Sequence, residues 1–149
     1  MKSDNPVKHF VLAFLIALIG YWIVYHAIEH RRNRKGPWIV TFGSDSAGIS
    51  RIIINQPWLR ITNCEMSFPG SNGSSTNSSS TLSFSQPKPV PYDLPFGKCI
   101  FMDTTFLPGT LTFQFFGHEI ELLPRVMIVD HQEVAWHSET NIILKPLNR

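Results

Sequence analysis

Between Phe10 and Ile28 the chain reads FVLAFLIALIGYWIVYHAI, 19 residues without a formal charge. At about 1.5 Å rise per residue such a run makes a helix of roughly 28 Å, close to the ~30 Å of bilayer hydrocarbon. No other stretch of the sequence is long and apolar enough to do the same. Tyr21, Trp22 and Tyr25 gather toward its C-terminal side, where an aromatic belt sits at a membrane interface. Arg31, Arg32, Arg34 and Lys35 follow at once, as a stop-transfer cluster and membrane-interface anchors would. A cleaved leader is the competing reading. The apolar run is too long for one, and a cut after Ala27 would put the bulky Tyr25 where a small residue is needed. The expectation is a tail over 1–9, a single transmembrane helix over 10–28 and a basic juxtamembrane linker over 29–37.

Charge follows the same division. The first 35 residues hold six of the 13 Lys+Arg and two of the 11 Asp+Glu, so the remaining 114 carry a slight negative excess. The formal net charge of +2 therefore belongs to the anchor region. A nucleic-acid-binding body would instead cluster its basic residues on the folded domain, so no nucleic-acid partner is expected. Four basic residues after the span against Lys2 and Lys8 before it favour a cytoplasmic C-terminal domain. The periplasmic or extracellular side is the alternative. Ala13, Ala17, Gly20 and Ala27 recur at spacings that place them on one helix face, with Val24 between. Small residues let membrane helices approach closely, which suggests a packing seam for a second copy or another subunit. Membrane lipid is the other implied partner.

After Gly36-Pro37 the texture changes to short β-type runs cut by proline and glycine. The runs are Trp38–Phe42, Arg51–Gln56, Leu59–Phe68, Thr81–Gln86, Lys98–Met102, Thr110–Phe116, His118–Leu123, Arg125–Val129, Glu133–Trp136 and Asn141–Leu144. Nine of the 11 prolines fall here, a density that helices do not tolerate. The pattern predicts an all-β domain over 38–149, an antiparallel β-sandwich of jelly-roll or immunoglobulin-like type behind the single N-terminal helix. Asp130-His131-Gln132-Glu133 is expected to turn a hairpin. The polar stretch 70–80 reads as a loop, with Asn72 and Asn77 in glycosylation-acceptor strings. The proline-rich 86–95 reads as an extended crossover between sheets.

Chemistry is sparse. Cys64 and Cys99 both lie in predicted strands, and neither has a second cysteine at metal-binding spacing. Two buried thiols are expected, with a Cys64–Cys99 disulfide as the option in an oxidising compartment. His118-Glu119-Ile120-Glu121 is not a metal motif on a strand. Alternation would put His118, Ile120 and Leu122 on one face and the two carboxylates on the other. Asp130, His131 and His137 would join His118 in a metal cluster only if the assembled strands brought them together. Asp103, Thr104 and Thr105 are expected to cap a turn. No phosphate-binding glycine loop, nucleophile elbow or kinase signature is present, so no catalytic residue and no cofactor are expected. The functional expectation is a membrane-anchored interaction module, an accessory subunit of a membrane complex. The alternatives are a sandwich that binds carbohydrate or a small ligand through Trp58 or Trp136, and a metal-dependent enzyme using His118, His131 or His137.

Overall fold

The computed structural model describes residues 6–71 and 79–147. Its chain divides into two compact units, Met1–Arg34 and Lys35–Arg149. In the first, a helix α1 runs over Pro6–Arg32. Proline at the first helical position costs no hydrogen bond, because that N–H would be unpaired in any case. His30, Arg31 and Arg32 occupy the last turn, where they oppose the negative end of the helix dipole. No residue of α1 is buried, so its apolar side chains face outward on every side. By length and composition it is the one helix among the described residues able to cross a membrane.

The second unit is built of eleven strands in two sheets. They are β1 Ile39–Ser44, β2 Ser50–Gln56, β3 Ile61–Phe68, β4 Ser80–Ser83, β5 Tyr92–Leu94, β6 Gly97–Asp103, β7 Thr110–Phe115, β8 His118–Leu122, β9 Met127–Val129, β10 Gln132–Val134 and β11 Asn141–Ile143. The first sheet has the order β11-β3-β2-β1-β4, and the second runs β10-β9-β8-β7-β6-β5. Alternation fixes the inner faces. In β2, Ser50, Ile52, Ile54 and Gln56 are buried while the residues between them are half-exposed. In β8 the same alternation buries His118, Ile120 and Leu122 and leaves Glu119 and Glu121 on the outer face. The two inner faces share one core. Phe42 of β1 meets Phe115 of β7 at 5.8 Å between ring centroids, and Phe84 meets Phe113 at 5.4 Å. Each such fully buried ring is worth about 1.5–3 kcal/mol of burial.

The strand order is simpler than the jelly-roll or immunoglobulin-like patterns expected from the strand count. Turns of two to six residues join β5 through β10, so each strand pairs with its neighbour in sequence. The antiparallel expectation needs one correction: β11 pairs parallel with β3. The cause lies in where the chain crosses between sheets. We call the end of the sandwich where Lys35 joins it proximal and the other end distal. β10 finishes at the proximal end, residues 135–140 cross to the first sheet there, and β11 must then run in the direction of β3. The proline-rich segment also crosses proximally, between β4 and β5, but Tyr92–Leu94 within it pairs with β6 as a strand that the prolines concealed. The run from Leu59 begins later than expected. Pro57–Leu59 is a 3-10 turn, and Arg60 (φ 59°) redirects the chain before β3 starts at Ile61. Asp130 and His131 both take positive φ (49° and 66°), as the turn of the β9–β10 hairpin requires. Of the loop expected over 70–80, residues 72–78, with both glycosylation-acceptor asparagines, lie outside the described residues.

Candidate functional site

On α1, Ala13, Ala17, Gly20, Val24 and Ala27 fall within an arc of about 80° at 100° per residue. A side chain added at Gly20 would meet nothing within 4 Å, so this face is open within the chain. The aromatic group is more organised than the sequence indicated. Tyr21 stacks on Tyr25 at 6.2 Å, and Trp22 packs edge-on against His26 at 4.5 Å, each pair one helical turn apart. Arg32 pairs with Glu29 at 3.7 Å, while Arg31, Arg34 and Lys35 are exposed.

At the proximal end of the sandwich, Gln56 is fully buried. Its Nε2 lies within hydrogen-bond distance of the carbonyls of Lys35 (2.9 Å), Gly36 (2.9 Å) and Pro37 (3.1 Å), so its two protons serve three acceptors with one of them shared. Its Oε1 accepts from the Trp58 backbone N–H at 3.0 Å. One amide therefore clasps the first residues of the sandwich to the 3-10 turn. Lys35, Gly36 and Pro37, which look like linker in the sequence, are thereby part of the folded unit. Gly36 has φ +70°, and a Cβ there would lie 3.4 Å from the Trp58 ring. The next residue, Trp38, is buried, donates from Nε1 to the Gly109 carbonyl at 3.1 Å and packs on Trp136 at 5.3 Å. Trp136 in turn donates to the Leu123 carbonyl at 2.8 Å. It is thus a structural ring, whereas Trp58 is 72% exposed.

At the distal end His118 is buried, with Nδ1 2.6 Å from Asp130 Oδ2 and Nε2 2.7 Å from the Lys145 carbonyl oxygen. A carbonyl only accepts, so Nε2 carries a proton. Asp130 also accepts from the Glu119 backbone N–H at 3.0 Å. With both ring nitrogens held, His118 has no lone pair directed at a cation. His131 and His137 are exposed and are not brought to it. Among the described residues no group of three or more His, Cys, Asp or Glu is placed to hold a metal ion.

Cys64 and Cys99 are both buried free thiols, on β3 and β6 of opposite sheets. Burial pushes both thiols up in pKa, which keeps them protonated and poorly nucleophilic. Burial, followed by the neighbouring Cys99, likewise raises the Tyr92 hydroxyl. Asp103 behaves as a turn cap, its Oδ1 accepting from the Thr105 N–H at 3.0 Å. An open groove of about 230 Å³ on the outer face of the first sheet is lined by Thr41, Gly43, Arg51 and Ile53. Its one charged group, Arg51, is paired with Glu65 at 3.7 Å.

Sequence reasoning singled out Trp58 and His118 but missed Gln56. Gln56 stands before Pro57 and reads only as the last residue of a strand, while its partners lie about twenty positions upstream. Comparison with known proteins finds no matching family model, no matching curated protein and no matching solved structure.

Proposed function

We propose that this protein is a single-pass membrane-anchored interaction module, an accessory subunit whose β-sandwich is held at the cytoplasmic face of a membrane complex. The observation that carries the reading is α1: a 27-residue helix whose 19-residue core, Phe10–Ile28, has no formal charge on any side, with no residue buried. A helix of that kind needs lipid or another helix for a partner. The open small-residue face of Ala13, Ala17, Gly20 and Ala27 favours a helix over lipid along one side. The four basic residues after the span and the two free thiols agree with a cytoplasmic, reducing side.

Extraction of native membranes in mild detergent, followed by native electrophoresis, tests this. The protein should migrate well above its monomer mass, and Gly20→Leu or Ala17→Leu should release the monomer. A protein that runs as a monomer in every detergent would sink the proposal. Protease added to sealed vesicles of known orientation reads the side: a sandwich degraded from the outer face overturns the cytoplasmic placement.

A further inference from the structure

The two ends of the sandwich differ in what they expose. At the proximal end the 3-10 turn presents Trp58, 72% exposed, and the β6–β7 turn presents Phe106, 59% exposed. Gln56 ties the 3-10 turn to residues 35–37, and the next residue, Trp38, bonds from Nε1 to the Gly109 carbonyl of the β6–β7 turn, so both loops lie at one end. Gly109 lets the second loop close: it has φ +72°, and a Cβ there would fall 1.9 Å from the Asp103 carbonyl oxygen. At the distal end the described residues expose no Phe, Tyr or Trp, since Phe96 and Phe116 pack against the core.

Single exposed rings are ordinary on a protein surface, but their presence at one end of the sandwich and absence from the other is an asymmetry that needs a reason. The chain supplies one. Gly36, against which the Trp58 indole lies, is four residues beyond the end of α1 and eight beyond Ile28. Four helical residues and at most four extended ones allow about 20 Å between Ile28 and Gly36, whatever the angle at the junction. The Trp58 ring is therefore tethered within reach of the headgroup layer of any bilayer that α1 spans. Its indole N–H has no acceptor among the described residues, and tryptophan with an apolar body and a free N–H is suited to that layer. Lys35, beside Gly36 in the chain, and the exposed Arg60, two residues after Trp58, have no acidic partner among the described residues. Lys88 and Arg125 add two more cations to the proximal connections, against the acidic Asp103 and Glu139.

We infer that the proximal end of the sandwich is itself a phospholipid-contacting surface, with Trp58 and Phe106 seated in the headgroup layer and Lys35 and Arg60 facing lipid phosphates. This rests on the reading of α1 as membrane-spanning. The full chain is reconstituted into vesicles of phosphatidylcholine, alone or with phosphatidylglycerol. Trp58 emission is taken as the difference between wild type and Trp58→Phe, with near-ultraviolet circular dichroism confirming that both are folded. Phosphatidylcholine brominated near the headgroup end of its acyl chains should quench most of that emission, and aqueous iodide should quench little of it. Phosphatidylglycerol should strengthen the shielding. In the Trp58→Phe background, Phe106→Trp should add emission that brominated lipid also quenches. Trp58 emission open to iodide and untouched by brominated lipid overturns the inference. Emission shielded from both also overturns it, and points to a protein on this surface. Release of the chain from the vesicles by alkaline carbonate would instead mark failure of the membrane-spanning reading, separately from these outcomes.

Discussion

Gln56 and His118 do the same structural work at opposite ends of the sandwich by different chemistry. Each is buried on an inner face at a strand terminus, and each holds a terminal segment by its backbone carbonyls. Gln56 binds residues 35–37 at the start of the sandwich, and His118 binds Lys145 near its close. The proximal clasp is a neutral amide that serves as donor and acceptor at once. The distal clasp is an imidazole completed by a carboxylate whose side chain is 41% exposed. Charge in a low-dielectric setting is costly, whereas a satisfied amide is not. The neutral clasp thus stands at the end that we place against lipid, and the ionic one stands where water reaches Asp130.

The largest effect should come from breaking the proximal clasp. Gln56→Leu leaves the Trp58 N–H and three carbonyls without their partner, and should cost about 2–3 kcal/mol. Gln56→Glu should be no better, since a carboxylate has no proton to offer three carbonyl oxygens. The urea midpoint of the full chain in detergent, at unchanged slope, measures both. If Gln56→Leu stays within about 0.5 kcal/mol of wild type, the clasp is ornamental and the comparison collapses.

A smaller loss is expected distally. His118→Leu should cost about 1–2 kcal/mol, because the carboxylate it abandons is already partly hydrated. Combining it with Asp130→Ala in a double-mutant cycle should give a coupling of about 1 kcal/mol. Strictly additive losses would show that the 2.6 Å contact is a neighbour effect and that Lys145 alone holds the ring.

How much of this was legible depended on the range of the signal. The uninterrupted apolar run of α1 and the period-two alternation of β2 and β8 are local, and each is readable within a dozen residues. β5 was hidden because Tyr92–Leu94 lies between Pro91 and Pro95, where its pairing with β6 overrides the local signal. The parallel direction of β11 follows from where residues 135–140 cross between sheets, which no local pattern encodes. The clasps are harder still: His118 meets Lys145 across 27 positions, and Gln56 meets Lys35 across 21. Trp58 and Trp136 read alike in the sequence as candidate binding rings, and only the assembled fold tells the exposed Trp58 from Trp136, which is packed on Trp38 and bonded to Leu123.

The smallest effect sharpens the proximal end itself. Asp103 closes the turn that carries Phe106, and its carboxyl is held below the usual carboxylate range, first by the Thr105 backbone N–H and then by the Thr105 hydroxyl. A group whose pKa is lowered by folding stabilises the protein above its unfolded value, about 3.9 for aspartate. That contribution fades as pH falls through the lower folded value. Asp103 is largely in water, so solvent screening should keep it under about half a kcal/mol. Between about pH 5 and pH 2 the urea midpoint of Asp103→Asn should therefore fall slightly less than that of wild type, because asparagine keeps the acceptor and removes the titration. Asp103→Ala should be weaker than both at pH 5, having lost the acceptor as well. A larger acid-linked loss in Asp103→Asn than in wild type would mean that the carboxylate opposes the turn.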